Sequence, residues 1–231
     1  MSNDYIAKMI DLSCVQANSS YEEMQEAIAL ADKYNVAAVF VLPAHLEYAQ
    51  KYAKENSYNA TFAATAGFPS GSTTTASKIV EAQRQIASGC REVDMVNNIT
   101  WLKANELEKY RNDIQMVKDS IGDIPLKVIL ECHYLTNEQI ATACEICAQV
   151  GVAFVKTGTG WAATGATLEN VTLMKKVVGD RCEVKAAGGV RDIETVIAMI
   201  ERGVTRFGIG VRTAKAILGE DLNEDLTQSN Y

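Results

Sequence analysis

The chain has 231 residues, 48% of them hydrophobic and 22% charged, with a net charge of −7 and a pI near 5.0. Its length suffices for one large core. Its acidity excludes a broad nucleic-acid face, which needs a basic surface, and no stretch approaches the ~20 apolar residues of a membrane span. A small anionic substrate is still compatible, because a few cations and backbone N–H groups make a local positive pocket. Residues 1–5 carry neither the basic nor the apolar region of a secretion signal, so a cytoplasmic location is expected. The six cysteines, Cys14, Cys90, Cys132, Cys144, Cys147 and Cys182, then read as free thiols. Cys144 and Cys147 form a C-x-x-C within a helical pattern rather than at a helix start, which favours packing over redox chemistry. With His45 and His133 as the two histidines, nothing in the chain argues for a metal site.

Short apolar, β-branched runs alternate with longer stretches of helical spacing from end to end. Strands are expected at 9–14, 37–42, 60–66, 92–97, 126–131, 154–156, 183–186 and 206–208, with helices between them such as 21–34, 73–88, 107–120 and 138–150. This alternation means a parallel sheet covered by helices. Eight such strands in a chain of this length predict a single-domain (β/α)8 TIM barrel over residues 1–231, with 219–231 as a flexible tail. A doubly wound α/β sheet would show the same local pattern.

In a barrel the reactive groups gather at the C-terminal ends of the strands. There the chain places Asp11, Asp94, Asn98, Glu131, Lys156, Lys185 and a set of glycines. Lys156, in Phe-Val-Lys156-Thr-Gly-Thr-Gly, and Lys185, in Val-Lys185-Ala-Ala-Gly-Gly-Val-Arg, each close an apolar run and open into glycine. Two ammonium groups in one apolar cavity repel each other and are poorly solvated, and both effects lower a lysine pKa. An amine so perturbed attacks carbonyls to form a Schiff base. Asp94 sits inside an apolar run, where a carboxylate is costly unless paired. A lysine across the barrel is its expected partner, either to move protons or as a structural ion pair. Asp11 could bind substrate hydroxyls or tie down the first loop, and Glu131 could orient a lysine or serve structure. Gly188-Gly189-Val190-Arg191 and Gly208-Ile209-Gly210-Val211-Arg212 each precede a helical segment after the last two strands, where barrels commonly hold phosphate.

Taken together, these residues resemble the deoxyribose-phosphate aldolases, a family of class I aldolases with a barrel fold. The resemblance rests on Ala-Gly-Phe-Pro-x-Gly at 66–71, Glu-Val-Asp-Met-Val at 92–96, Lys-Val-Ile-Leu-Glu at 127–131, Phe-Val-Lys-Thr-x-Thr-Gly at 154–160 and Lys-Ala-Ala-Gly-Gly-Val-Arg at 185–191. It implies Lys156 as the Schiff-base lysine, Lys185 as the second lysine that depresses its pKa, and Asp94 as a partner in a proton relay. It further implies Asp11 in the substrate pocket, and Gly188, Gly189 and Arg191 at the substrate phosphate, with Gly208 in the same glycine-rich set. The implied reaction is reversible cleavage of 2-deoxy-D-ribose 5-phosphate to D-glyceraldehyde 3-phosphate and acetaldehyde, with no cofactor and no metal. Barrels of this family occur as monomers or dimers, so a homodimer is one expected state.

Some positions depart from that pattern. Gly210 and Val211 stand where the family often has a phosphate-binding serine pair, and Arg212 is the expected compensation. Gly158 and Trp161 replace the more common serine and phenylalanine, and the indole either narrows the pocket entrance or packs. The chain ends in Tyr231, which some family members use for proton transfer from a mobile tail. Two other readings stay open: an aldolase-like barrel for a different or unphosphorylated aldehyde, and a sugar-phosphate-binding barrel without catalysis.

Overall fold

A computed structural model describes residues 2–220 of the chain. Eight parallel strands close into a barrel in sequence order: β1 (Ile10–Cys14), β2 (Ala38–Val41), β3 (Phe62–Ala66), β4 (Val93–Val96), β5 (Leu126–Ile129), β6 (Phe154–Lys156), β7 (Glu183–Ala187) and β8 (Val204–Ile209), the last pairing with β1. The expected (β/α)8 architecture is therefore the observed one. Side chains alternate between two environments, as the pleat requires. On β2, Val39 and Val41 join the large core between sheet and helices, whereas Ala38 and Phe40 join Val15 and Ala63 in a small separate cluster.

Helices over Tyr21–Tyr34, Thr75–Ala87, Leu107–Ser120 and Asn137–Val150 cover the outside where apolar spacing predicts them. Polar residues set their starts: Ser20, Thr74 and Thr136 each accept a backbone N–H of the first turn, and Thr136 forms a reciprocal capping box with Gln139. Each such cap is worth about 1 kcal/mol. No helix among the described residues is long and apolar enough to cross a membrane.

Several strand ends differ from expectation by one or two residues, and two of the shifts have a local cause. β5 stops at Ile129, because Glu131 turns into the left-handed region at φ 56° and leaves the ladder. β8 begins at Val204, two residues early, because Gly203 at φ 87° turns the chain directly into the strand. Of the tail expected at 219–231, Gly219 closes the last helix, Val211–Leu218, and Glu220 accepts a hydrogen bond from Tyr34 Oη at 2.8 Å. The rest of that segment, including Tyr231, lies outside the described residues.

Candidate active site

Strand alternation turns a set of charged side chains into the barrel interior. Register pairs Asp94 with Lys127, Lys156 with Lys185, and Lys185 with Arg206 on neighbouring strands. The Asp94 carboxylate is the hub: its Oδ2 accepts from Lys156 Nζ at 2.8 Å and from Lys185 Nζ at 2.7 Å, and its Oδ1 lies 3.2 Å from Lys127 Nζ. Lys185 Nζ also lies 2.6 Å from Asp11 Oδ2, and Arg206 bonds Asp11 at 2.7 Å. Glu92, just before β4, completes the network by pairing with Lys127 and Arg206. Fully ionised, the cluster holds four cations (Lys127, Lys156, Lys185, Arg206) against three anions (Asp11, Glu92, Asp94). The Phe40 ring faces the ammonium groups, 4.2 Å from Lys185 Nζ and 5.7 Å from Lys156 Nζ, and its face is a favourable neighbour for a cation.

The cluster sorts protons unevenly. Burial alone would raise the Asp94 pKa, but Lys127, Lys156 and Lys185 hold it far below the usual carboxylate range. Burial and the nearby ammonium groups act in the same opposed way on Asp11, which Lys185, Lys127 and Arg206 keep low. Lys185 and Lys127 shift in opposite directions. Burial lowers Lys185 to about 8; Asp11 and Asp94 oppose the shift, and Lys156 and Lys127 add to it. Lys127 goes the other way, since the carboxylates of Asp94, Asp11 and Glu92 outweigh its burial.

Above the cluster, at the C-terminal ends of the strands, a cavity of about 840 Å³ opens to solvent. Lys156 lines it and is 6% exposed, whereas Lys127 and Lys185 are 0% exposed and lie beneath its floor. Ser13, Phe40, Thr65 and Gly208 complete the floor. Gly208 is small for a reason: a methyl there would stand 3.0 Å from Ala187 Cβ and 3.4 Å from Lys185 Cε, in the space the lysine uses. At the rim lie Gly188, Gly189, Arg191, Gly210 and Arg212. Ala166 N donates to Gly188 O at 2.6 Å, and Gly165 and Gly188 pack backbone to backbone. Gly210 precedes helix Val211–Leu218 without a side-chain cap, so the first N–H groups of that helix remain available to an anion at the rim.

The structure thus brings Lys156, Lys185 and Asp94 together and sets the expected phosphate-loop residues around one cavity. Asp11 is placed differently: it lies below the floor, bound to Lys185 and Arg206, and does not line the cavity. Glu131 reaches no lysine by hydrogen bond; it accepts Thr159 N and Oγ1 and so braces the loop after Lys156. Asn98 caps the helix Ile99–Lys103. Trp161 packs against residues that line the cavity without lining it itself, its Nε1 donating to Val15 O at 2.9 Å and its ring edge-on to Phe68. Lys127, Arg206, Glu92, Phe40 and Thr65 were not singled out by the sequence reasoning. Lys127 alone carried a signal, a lysine opening the apolar run Lys-Val-Ile-Leu, because an unpaired charge there would be costly.

Comparison with known proteins gives a consistent result. The DeoC/LacD family aldolase pattern matches residues 6–218. The deoxyribose-phosphate aldolase of Klebsiella pneumoniae is 40% identical over 215 residues, covering 93% of this chain and 86% of that protein. The deoxyribose-phosphate aldolase of Staphylococcus epidermidis strain RP62A is 41% identical over 219 residues, covering 95% of this chain and 98% of its own. Among solved structures, QR15, an aldolase, superposes with a TM-score of 0.85 at 33% identity, covering 97% of this chain and 99% of that one. A closed barrel with interior lysines on a shared carboxylate, matched over nearly its whole length, makes this chain a member of the DeoC/LacD family of aldolases.

Proposed function

We propose that the chain cleaves 2-deoxy-D-ribose 5-phosphate reversibly to D-glyceraldehyde 3-phosphate and acetaldehyde, through a Schiff base on Lys156. One observation carries the assignment of the nucleophile. Of the three interior lysines, Lys156 alone lines the cavity, and its amine shares Asp94 Oδ2 with that of Lys185. A carbonyl entering the cavity meets Lys156 first.

As a neutral amine, Lys156 adds to the open-chain aldehyde, and loss of water gives an iminium ion. That cation draws the electrons of the C2–C3 bond as a base takes the C3 hydroxyl proton, which releases glyceraldehyde 3-phosphate and leaves an enamine. A proton returns to the enamine carbon through the Asp94–Lys185 pair, and water hydrolyses the new iminium to free acetaldehyde. Covalent attachment divides one high barrier into smaller ones. The charge excess suits this course, because the iminium keeps the positive charge of the ammonium it replaces. Lys185, lowered to about 8 by burial, is poised to give and take protons near neutral pH. Arg191, Arg212 and the N–H groups at Gly210–Val211 would hold the 5-phosphate. The six buried cysteines carry no disulfide among the described residues, which suits a reducing cytosol.

Borohydride trapping with 2-deoxyribose 5-phosphate, followed by peptide mapping, tests this reading. A reduced adduct on Lys156 is expected. An adduct confined to surface lysines, or none, rejects the Schiff-base reading. The rim favours a second substrate class: Gly210 offers no hydroxyl to a phosphate. Comparable kcat/KM for deoxyribose with and without the 5-phosphate would assign the cavity to unphosphorylated aldehydes instead.

A further inference from the structure

Of the two hydroxyls in the cavity floor, that of Ser13 donates to Asp11 O, whereas that of Thr65 is satisfied by none of the described residues. Thr65 is 2% exposed and lines the cavity, yet its Oγ1 has no hydrogen-bond partner among the described residues. A buried hydroxyl left unmatched is costly, so it marks a place where a second polar group belongs. Thr65 is also held unusually firmly. The carboxamide of Gln85, from helix Thr75–Ala87, bonds both sides of its peptide: Thr65 N donates to Gln85 Oε1 at 3.2 Å, and Gln85 Nε2 donates to Thr65 O at 2.7 Å. This clamp takes over where the β2–β3 pairing ends at Phe40 and Ala63.

The position of Thr65 says what its partner should be. It is the register partner of Asp94 on the neighbouring strand, so the two side chains leave the sheet side by side. The phosphate-holding rim belongs to β7 and β8, on the opposite wall of the barrel. Thr65 therefore faces the acetaldehyde end of a Lys156 adduct rather than its phosphate end.

We propose that Thr65 is a positioning residue for proton transfer, its hydroxyl holding the water that carries the proton between the enamine carbon and the Asp94–Lys185 pair. This rests on the Schiff-base reading of Lys156. In the cleavage direction the held water gives a proton to the enamine carbon while the enamine electrons form the new C–H bond and the nitrogen becomes iminium. The hydroxide left behind takes a proton from the Asp94–Lys185 pair, whose ammonium ends as a neutral amine. In reverse, the same water removes an α-proton from the acetaldehyde iminium.

The test uses acetaldehyde alone, with two readouts on the wild-type chain, Thr65→Val and Thr65→Ser. Borohydride trapping on Lys156 reports imine formation, and α-proton exchange into deuterium oxide, followed by NMR, reports proton transfer. Thr65→Val should trap acetaldehyde as the wild type does and lose exchange by about tenfold or more; Thr65→Ser should restore it. The melting temperature of Thr65→Val should not fall, because the lost hydroxyl has no partner among the described residues. Thr65→Ala removes the same hydroxyl with less bulk and gives the same readout if the valine variant folds poorly. Wild-type exchange in a hydroxyl-free variant that still traps overturns the relay alone, as does a raised KM for the sugar phosphate with exchange intact. Loss of trapping and exchange in equal proportion also overturns it. A wild-type chain that traps nothing on Lys156 overturns the Schiff-base reading and the relay with it.

Discussion

Lys156 and Lys185 stand side by side in register on β6 and β7 and reach the same oxygen, Asp94 Oδ2, at 2.8 and 2.7 Å. One carboxylate oxygen thus answers to a lysine facing the cavity and to one sealed beneath it. A proton lost from one amine leaves the carboxylate free to strengthen its bond to the other. This arrangement ties the charge of the cavity amine to that of the buried network.

Replacing Asp94 tests that coupling directly. Asp94→Asn keeps the shape but leaves the interior amines without their shared anion. The expected loss in kcat is about 10²- to 10⁴-fold, the scale of a positioned proton-transfer group. Breaking a buried pair by removing one partner also costs about 3–5 kcal/mol, read by urea unfolding. Wild-type turnover in the variant would remove Asp94 from the mechanism.

Lys185 should leave a signature in the pH dependence of stability. Its pKa is lowered from 10.5 to about 8 in the folded chain, with burial as the main cause. Between pH 8 and 10.5 the unfolded chain therefore binds more protons than the folded one, so this residue makes stability rise with pH across that window. Below pH 8 both states are protonated and the contribution is flat at its least favourable level. The rise is on the order of 3 kcal/mol. Unfolding free energies measured from pH 7.5 to 10 should show it in the wild type and lack it in Lys185→Met; parallel curves would refute it.

Arg212 and Arg191 line the cavity mouth beside the start of helix Val211–Leu218. A charge-assisted hydrogen bond to phosphate is worth about 1.5–3 kcal/mol, so Arg212→Ala should reduce kcat/KM for the 5-phosphate by about 10- to 100-fold. Activity toward unphosphorylated deoxyribose should change little. An equal fall for both substrates would mean that the arginine supports the fold, not the phosphate.

Gly210 invites a substitution in the opposite direction. It is the N-cap residue of helix Val211–Leu218, with extended backbone at φ −73°, no side-chain cap, and no atom of the described residues within 4 Å of where a Cβ would stand. Gly210→Ser should fit without strain and raise stability by a few tenths of a kcal/mol, visible as a small rise in melting temperature. Its hydroxyl should also lower KM for the phosphorylated substrate. An unchanged KM would place the phosphate away from this helix start.

Much of this was legible in the chain itself. Alternating short and long periods announced the eight strands and their covering helices, because side-chain periodicity is a local property. Lys156, Lys185 and Asp94 stood out by the same local logic, as charges inside apolar runs that only a partner could make tolerable. Which partner each finds was not local. Asp11 looked like a pocket residue, yet the register of β8 places Arg206 beside it and draws it beneath the floor with Lys185. Glu92 sits just before β4 and Arg206 in the first half of β8, and closure of the barrel brings both to Lys127 and Asp11 to complete the network. Thr65 is an ordinary strand threonine in sequence; only the barrel gives it a buried hydroxyl beside Asp94 that has no partner among the described residues. Periodicity and the cost of a buried charge are written along one dimension, so the sequence alone determined the strands and pointed to Lys156 and Lys185 as charges that need a partner. Barrel closure joins residues nearly two hundred positions apart, so only the tertiary structure decided which charges meet at one carboxylate and which lysine lines the cavity.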